Sequence, residues 1–438
     1  MTIDEQQASV AVIGLGKIGL TLAAVFATNG YYIFGADKNK EVVASINQGK
    51  SHINNEPGLD QLVSDAVENN QMRATSDNVE AVAHSSIIVV IVPVLVDTAN
   101  QIDYQMIDAV VEDIAKGIKK GSLVIFETTL PPGDTKNRFG KRIEERSGLR
   151  LGTDFYLAYS PERVYSNRII EDLEKYPKVV GGINEKSLLL ASTFYKQALN
   201  CQLIEVSSIE TAEFSKVAEC VYRDVNIALA NELAQFADQT GVNISEVIVA
   251  SNSQPYSHIH SPGIGVGGHC IPIYPYFFIN KGLNQGLTPL AREVNDGMAA
   301  YAISQVKKEV GSLANRNVLI LGLSYRENVK EPTKSTTLLL IDQLLNMNAN
   351  VFVNDPLFSD REIHAFGVTP LSLQDKSISK IDIIILQAYH DDYKNLNFKD
   401  FTNCKLLFDG RNQLKQEDIK KHGITYQSIG QQSEKGEW

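Results

Sequence analysis

One short stretch, Gly263 to Phe278, combines residue types that covalent chemistry needs. It reads GIGVGGHCIPIYPYFF and places His269 and Cys270 directly after four glycines in six positions. Glycines at this density let a backbone approach a ligand closely or adopt positive φ. The thiolate is the reactive form of cysteine, and reactive cysteines occupy polar, partly accessible sites. A lone cysteine beside a turn can also be a buried small hydrophobe. The adjoining glycines and histidine favour the nucleophile.

A second motif, near the start of the chain, has the spacing of a phosphate-binding turn. The apolar run Val10 to Ile13 leads into Gly14-Leu15-Gly16-Lys17-Ile18-Gly19, a helical pattern follows, and a second strand ends at Asp37. Strand, G-x-G-x-x-G, helix, strand and acid in this order predict a dinucleotide-binding fold, with the pyrophosphate at the helix N-terminus. Asp37 would accept hydrogen bonds from ribose hydroxyls and repel a 2′-phosphate, which favours NAD over NADP.

Later apolar runs predict more strands of the same sheet, and polar motifs follow three of them. Near-continuous apolar runs that alternate with helical segments are typical of parallel strands covered on both faces. The runs are Ile87 to Val92, Leu123 to Thr128, Phe155 to Tyr159 and Lys178 to Val180. Ligands bind at the carboxyl ends of such strands, although Pro93 taken alone is typical of an ordinary loop. The polar motifs at these ends are Pro93-Val94, Thr128-Thr129-Leu130-Pro131-Pro132-Gly133 and Ser160-Pro161-Glu162-Arg163.

A long helix and a second nucleotide-fold pattern make up the rest of the chain. The helical pattern from about Ile209 to Thr240 contains neither glycine nor proline. Such a helix normally connects domains and often packs against its symmetry mate. Lys216 on this helix is either solvated or part of a site, and the sequence favours neither interpretation. A further strand–loop–helix–strand pattern ends at Asp355, but its loop, Gly322 to Arg326, has only one glycine. It predicts a fold repeat that holds a different nucleotide.

Length, composition and charge exclude several classes of protein. A chain of 438 residues predicts two or three domains, and a net charge of −11 argues against nucleic acid as the main partner. The four cysteines lack metal-ligand spacing, so neither a metal site nor a disulfide framework is expected. The N-terminus lacks the pattern of a signal peptide, and the longest apolar run is about half a membrane span. The cytoplasm is the expected compartment, and the polar tail QQSEKGEW is expected to be frayed.

Together these motifs resemble the nucleotide-sugar 6-dehydrogenases, which include UDP-glucose, UDP-N-acetylmannosamine and UDP-N-acetylglucosamine dehydrogenases. The resemblance covers nearly the whole chain, and the GGHC wording of the cysteine loop is closer to the N-acetylhexosamine branch. It implies an α/β fold with two Rossmann-like doubly wound domains joined by a long central helix. The implied domains are 1–205 for NAD, 206–312 for the central helix and cysteine loop, and 313–438 for UDP. The motifs that carry it are the glycine turn after Val10 to Ile13, Thr128 to Gly133, Ser160-Pro161-Glu162, Lys216, Gly267 to Cys270, Arg223 to Ile227, Gly322 to Arg326 and Asp409-Gly410-Arg411-Asn412.

The resemblance also implies a reaction, the oxidation of a UDP-sugar C6 alcohol to a carboxylate by two NAD, for surface polysaccharide. Cys270 would capture the aldehyde and carry a thioester, Lys216 would stabilise oxyanions, Glu162 would be the general base and Thr129 would orient water. NAD is expected at Gly14, Gly16, Lys17, Ile18, Gly19, Asp37, Pro93 and Thr129. The UDP-sugar is expected at Glu162, Arg163, Lys216, Gly267, Gly268, Tyr325, Arg326 and Arg411. The central helix is expected to form a homodimer.

Departures from the family pattern leave alternatives open. Cys220 and Tyr274 stand where the family commonly has Asn and Asp, which places thioester hydrolysis in doubt. The segment before the glycine loop lacks the family's arginine, and Lys330 to Lys334 replaces an acidic pair and arginine. The alternatives are a UDP-glucose dehydrogenase, a variant that stops before hydrolysis, and a non-catalytic nucleotide-sugar binder. Cys220 could also form a reversible disulfide with Cys270, or simply fill the volume of the missing amide.

Overall fold

The structure is a computed structural model that describes residues 9–282 and 284–431, and these residues divide into two compact units. Unit 1 contains the chain up to Glu219 together with Tyr276–Lys281. Unit 2 contains Cys220–Pro275 and the chain from Gly282 onward. The division falls within one long helix. The domain boundaries expected at 205/206 and 312/313 stay a prediction, and most of the tail expected to be frayed lies outside the described residues.

Unit 1 is built on an eight-stranded sheet of the dinucleotide-binding type. The strands run in the order β3-β2-β1-β4-β7-β8-β9-β10, and the order of its first six strands is that of a Rossmann fold. A small antiparallel pair, β5 and β6, lies outside this sheet. The strands are β1 (Ser9–Ile13), β2 (Tyr32–Ala36), β3 (Met72–Thr75), β4 (Ile87–Val90), β5 (Leu95–Val96), β6 (Ile102–Asp103), β7 (Leu123–Phe126), β8 (Tyr156–Tyr159), β9 (Lys178–Gly182) and β10 (Leu203–Val206).

Helices cover both faces of this sheet, as its apolar strands require. Strands β4 and β7 are fully buried, because a parallel sheet with helices on both sides has no solvated face. The helices are α1 (Lys17–Thr28), α2 (Lys40–Asn47), α3 (Leu59–Glu68), α4 (Asn78–Ala83), α5 (Gln105–Gly117), α6 (Lys141–Ser147), α7 (Ile169–Lys175), α8 (Glu185–Leu199) and α9 (Ile209–Thr240), of which α9 continues into unit 2. A π-helical turn, Thr135–Gly140, precedes α6.

The sheet of unit 1 is not parallel throughout, which differs from the sequence-based expectation. Strand β9 runs antiparallel to β8, with Ala158 opposite Gly182 and Tyr159 opposite Gly181. Because of this reversal, the first residue of β9, Lys178, lies beyond the carboxyl end of β8. A lysine is therefore placed at the edge of the sheet where ligands bind.

Unit 2 contains a second Rossmann-like fold and the cysteine loop. Its six strands are all parallel in the order β13-β12-β11-β14-β15-β16, the strand order of a dinucleotide-binding domain. The strands are β11 (Asn317–Leu321), β12 (Asn350–Asn354), β13 (Thr369–Pro370), β14 (Ile383–Leu386), β15 (Leu406–Asp409) and β16 (Thr425–Ser428). The helices are α10 (Ile244–Ser251), α11 (Pro275–Ile279, shared with unit 1), α12 (Leu287–Val310), α13 (Thr336–Asn346), α14 (Asp360–His364) and α15 (Gln416–Lys420).

The predicted fold class is confirmed, with two Rossmann-like sheets and a long helix between them in the chain. The predicted helix from Ile209 to Thr240 has those bounds in the structure. Strands predicted from Ile87 and Leu123 begin there but end two residues early, at Val90 and Phe126. Within the described residues, no helix combines the length and the apolar character needed to cross a bilayer.

Candidate active site

The glycine turn between β1 and α1 is shaped by contacts that exclude side chains. Gly14 has a φ of +96°, and a Cβ on Gly19 would lie 1.8 Å from the Gly14 carbonyl oxygen. Asp37 fixes the turn from the end of β2, because its Oδ2 accepts a hydrogen bond from the Leu15 amide at 2.9 Å. At Gly16, helix α1 begins without a side-chain cap, so its first amide groups remain available to an anion. These residues fit the pyrophosphate and ribose of a dinucleotide.

The carboxyl ends of β4 and β7 are joined by a buried threonine. The Thr128 hydroxyl donates to the Val92 carbonyl at 2.6 Å, and both Thr128 and Thr129 are buried. Pro93, which follows β4, is exposed. The predicted cofactor residues after these strands thus lie at one edge of the sheet, the edge that carries the glycine turn.

A buried glutamate on α9 holds the loop that follows Thr129. Glu213 is fully buried, and its two carboxylate oxygens accept hydrogen bonds from the amides of Gly133 and Thr135, the latter at 2.9 Å. Burial raises the pKa of Glu213 to about 7, although these hydrogen bonds favour its charged form. This tether connects the Pro-Pro-Gly loop to the turn of α9 that precedes Lys216.

Glu162, the predicted base, belongs to a cluster of charged side chains. Its Oε1 accepts from the Arg163 amide at 2.6 Å, and its Oε2 accepts from Lys178 Nζ at 2.7 Å. Lys178 Nζ also donates to Glu127 Oε2 at 2.6 Å, and the Tyr195 hydroxyl donates to Glu127 Oε1 at 2.6 Å. The elements that supply these groups are the ends of β7 and β8, the start of β9, and α8. Sequence reasoning missed Glu127, Lys178 and Tyr195.

Burial and neighbouring charges shift the pKa values of the two carboxylates of this cluster in opposite directions. Burial raises the pKa of Glu127, and the charge of Lys178 offsets this only in part. Burial also opposes ionisation of Glu162, but the charge of Lys178, its hydrogen bond and the charge of Lys216 bring the pKa of Glu162 below its usual value. Glu162 is therefore ionised at neutral pH.

Lys216 is buried, and its charge acts on Glu162; its role in a site stays a prediction. The interpretation of Lys216 as a solvated helix lysine is wrong. The Arg163 guanidinium, expected to bind substrate, instead donates to the Pro177 carbonyl. Its role toward substrate stays a prediction.

In unit 2, the glycines before Cys270 pack directly on the second Rossmann-like fold. A Cβ on Gly267 would lie 2.6 Å from Tyr325 Cβ, and one on Gly268 would lie 2.9 Å from the Tyr325 ring. Gly265 has a φ of +127° and no room for a side chain beside Thr336, the first residue of α13. The loop therefore needs glycines, as its sequence predicted. Cys270 itself is partly exposed.

Two hydrogen bonds hold the residues that precede Cys270. The Gly268 amide donates to the Thr333 carbonyl at 2.9 Å, and His269 Nε2 lies 2.7 Å from Glu331 Oε2. Although burial opposes ionisation of Glu331, its hydrogen bonds with His269 and Thr333 lower its pKa to about 2. The segment Lys330 to Lys334, which departs from the family wording, thus supplies two contacts to the cysteine loop.

The second Rossmann-like fold uses its acidic residue differently from the first. Asp355 Oδ2 accepts from the amides of Leu323 and Ser324 at 2.8 and 2.9 Å, and from the Ser324 hydroxyl at 3.0 Å. His390 Nε2 lies 3.1 Å from the same oxygen. Asp355 is almost fully buried, so its carboxylate is not available to a ribose hydroxyl. The glycines that precede Cys270 also pack on the start of α13, where the first fold leaves its helix N-terminus available. This supports the prediction that the second fold binds a nucleotide other than a dinucleotide.

Four of the predicted substrate residues meet in unit 2 around Tyr325. Arg411 donates from its Nη2 to the Tyr325 carbonyl at 3.0 Å, and Arg326 Nε donates to the Tyr325 hydroxyl at 3.1 Å. Gly267 and Gly268 pack on the same tyrosine. Burial lowers the pKa of Arg411 from its ordinary high value, and the group stays a cation. Two guanidinium groups beside a glycine loop suit a pyrophosphate.

These features define a dinucleotide-dependent oxidoreductase with a second nucleotide domain and an accessible cysteine. Models of the UDP-glucose/GDP-mannose dehydrogenase family match nearly the whole chain, with the NAD binding domain over residues 8–199, the central domain over 210–297 and the UDP binding domain over 319–416. The chain belongs to this family. It is an NAD-dependent nucleotide-sugar dehydrogenase.

Similar proteins support the N-acetylhexosamine branch. The UDP-N-acetyl-D-mannosamine dehydrogenase of Methanococcus maripaludis is 36% identical over 431 residues, covering 96% of each chain. The structure of UDP-D-ManNAc dehydrogenase from Pyrococcus horikoshii has a TM-score of 0.87 at 32% identity, covering 96% of this chain and 99% of that one. The structure of a UDP-glucose dehydrogenase from Pyrobaculum islandicum has a TM-score of 0.86 at 25% identity, covering 99% of this chain and 100% of that one.

Proposed function

We propose that this dehydrogenase oxidises the C6 alcohol of a UDP-N-acetylhexosamine, of the ManNAc or GlcNAc type, to the uronate for surface polysaccharide. The observation that carries the proposal is the partly exposed Cys270 at the end of a glycine loop packed on Tyr325. Relatives that are 32 to 36% identical and named UDP-N-acetyl-D-mannosamine dehydrogenases support the choice of sugar.

The chemistry proposed for Cys270 is covalent catalysis. NAD, when bound, accepts a hydride from C6 in each of the two oxidation steps. The Cys270 thiolate adds to the aldehyde carbon left by the first step, forming a thiohemiacetal that keeps the aldehyde on the protein. The second oxidation leaves a thioester, and water then adds to its carbonyl carbon and releases the uronate and the thiolate.

Lys216 and Glu162 are proposed to serve the charged species of this reaction. The ammonium of buried Lys216 would stabilise negative charge on the C6 oxygen, where a low local dielectric makes a charge more effective. Ionised Glu162 would accept the proton of the substrate hydroxyl or of the attacking water. Thr129, at the neighbouring strand end, would orient that water.

The nucleotide half of the substrate is proposed to bind unit 2. The side chains of Arg326 and Arg411, both held by Tyr325, would contact the pyrophosphate. Gly267 and Gly268 would let the loop backbone approach the sugar, because neither position has room for a side chain.

The alternative function is a dehydrogenase with impaired hydrolysis of the thioester. Cys220 is buried and cannot supply the amide hydrogen bond of an asparagine, and a tyrosine at position 274 is a weaker base than a carboxylate at neutral pH. A chain with impaired hydrolysis would hold the thioester or release the aldehyde. UDP-glucose is the alternative substrate, as the likeness to the Pyrobaculum enzyme indicates.

One experiment separates these functions. The protein is incubated with NAD and, in turn, UDP-N-acetylmannosamine, UDP-N-acetylglucosamine and UDP-glucose, and the NADH formed per sugar consumed is counted. The proposal predicts two NADH per sugar and a uronate product with an N-acetylhexosamine substrate. One NADH per sugar indicates that the aldehyde is released. A preference for UDP-glucose indicates a UDP-glucose dehydrogenase, and binding without NADH formation indicates a non-catalytic protein.

We also propose that α9 pairs two copies of the chain as a homodimer. Tyr222, Leu229 and Phe236 recur every seven residues along this helix and are 55%, 47% and 63% exposed. Large apolar side chains at heptad spacing form a stripe that a second helix covers. Leu229→Glu is expected to convert a dimer to a monomer in size-exclusion chromatography with light scattering. Leu189→Glu, a 66% exposed leucine on α8, serves as the control and should remain dimeric. A wild-type monomer would refute the pairing.

A further inference from the structure

Two buried charged side chains, Lys178 and Glu127, adjoin Glu162, and the proposed chemistry uses neither of them. The side chain of Lys178 is 5% exposed and that of Glu127 is fully buried, whereas that of Glu162 is 12% exposed. Burying charges costs several kcal/mol per ion unless partners compensate closely. Here Lys178 contacts one oxygen of each carboxylate, at 2.6 and 2.7 Å. Such a cluster at the ligand-binding edge of a sheet is typical of a functional site.

The arrangement gives each member of the cluster a fixed place. Glu127 is held by Tyr195 on one oxygen and by Lys178 on the other. The ammonium of Lys178 lies 5.1 Å from the centre of the Tyr195 ring as well. Lys178 is therefore anchored from the protein interior, and its remaining contact is directed to Glu162. The Arg163 amide holds the other oxygen of Glu162, so both oxygens of that carboxylate have defined positions.

We propose that Lys178 is a positioning residue that orients Glu162 and keeps it ionised, and that Glu127 with Tyr195 holds Lys178 in place. The inference rests on the proposed role of Glu162. The reversal of β9 is what brings Lys178 to this edge of the sheet, since a parallel β9 would begin at the opposite edge. A lysine in the interior thereby controls the group that faces the reacting sugar.

The charged and titratable groups that face Glu162 predict opposite effects of two substitutions. Among the described residues these groups are Lys178 on β9, Lys216 on α9, Glu127 after β7, Tyr195 on α8 and Cys201 before β10. Without Lys178, only the Arg163 amide and the charge of Lys216 oppose the effect of burial on Glu162, so a higher pH is needed to ionise Glu162. Without the charge of Glu127, Lys178 acts on Glu162 alone and a lower pH suffices.

The test compares pH profiles of uronate formation at saturating NAD and UDP-sugar. Lys178→Met is expected to lower kcat by roughly 10- to 100-fold, because a misplaced catalytic group costs this much. Its acid limb should move to higher pH, with little change in the KM for NAD. Lys178→Arg should recover part of the rate, and Glu127→Gln should move the acid limb to lower pH. Lys175→Met, which removes an exposed lysine paired with Glu171, is the control and should leave the profile unchanged.

Two further measurements keep the test decisive. Lys178→Met leaves two buried carboxylates without their cation, so the double variant Lys178→Met/Glu127→Gln restores charge balance and is expected to fold. Its acid limb should still move to higher pH, but by less than in Lys178→Met, because the repulsion from Glu127 is also absent. An acid limb in both variants that matches the wild type would overturn the proposal. Glu162→Gln tests the underlying function separately. If that variant is as active as the wild type, the role of Glu162 fails, whatever Lys178 does.

Discussion

The tether between Glu213 and the Pro-Pro-Gly loop predicts a distinctive dependence of stability on pH. The Glu213 carboxyl is fully buried and accepts two backbone amides, from Gly133 and Thr135. Its pKa rises from 4.5 to about 7 because burial penalises the charged form. The folded chain therefore retains a proton on Glu213 at pH values where the unfolded chain has released it.

The sign and the size of the effect follow from this shift. Since the folded-state pKa is raised, the stabilisation is fully present below pH 4.5 and is lost as pH rises through 7. One pKa unit corresponds to about 1.4 kcal/mol, so the whole effect is about 3 kcal/mol in the free energy of unfolding. Glutamine cannot release this proton. Glu213→Gln is therefore expected to lose this part of the pH dependence.

The assay is urea unfolding of the wild type and of Glu213→Gln at pH 5 and pH 8. The variant should gain about 2 to 3 kcal/mol relative to the wild type between the two pH values. Glu210→Gln, on the first turn of the same helix with a half-exposed carboxylate near Lys136, is the control and should show no comparable gain. A stability difference between Glu213→Gln and wild type that is the same at both pH values would refute the reasoning.

Four further predictions concern the site. Cys270→Ser should retain less than about a tenth of kcat, a barrier increase of at least about 1.4 kcal/mol, while NAD and UDP-sugar still bind in calorimetry; higher activity would argue against covalent catalysis. Asp37→Ala should narrow the preference for NAD over NADP in steady-state kinetics, and equal use of NADP by the wild type would contradict the assignment. Gly267→Ala should change the rate at which Cys270 is alkylated, because the added methyl group would overlap Tyr325 and displace the loop; an unchanged rate would show that the loop adapts freely. Cys220→Ser should protect activity from diamide if a disulfide with Cys270 forms, and equal inactivation with no cross-linked peptide would leave Cys220 a packing residue.

The sequence was most informative where local chemistry decides the structure. The glycines of the Gly14 turn and of the cysteine loop are required by close backbone contacts that depend on the missing Cβ, so their spacing alone indicated both sites. The bounds of α9 followed from an unbroken helical pattern. Asp37 follows β2 as predicted and accepts a hydrogen bond from the Leu15 amide in the glycine turn, whereas its contact with ribose stays a prediction.

The partners of Lys178 and Asp355 depend on tertiary structure and could not be predicted from the sequence. Lys178 opens an apolar strand and looked like an ordinary strand residue, and its place beside Glu127 and Glu162 depends on the direction of β9. Asp355 follows β12 as Asp37 follows β2, yet its carboxylate is taken up by its own loop and by His390. Periodicity and spacing carry no information about either pairing.

The central claim, a four-electron oxidation through a covalent bond to Cys270, can be tested by trapping that bond. Glu162→Gln is mixed with UDP-N-acetylmannosamine and NAD, quenched in acid, and digested for peptide mass spectrometry while NADH is followed. If Glu162 activates the attacking water, its loss slows hydrolysis, and two NADH per active site should form before uronate is released. The peptide that contains Cys270 should then carry a uronyl group. Turnover with no adduct on Cys270, or an adduct on another residue, would contradict the claim.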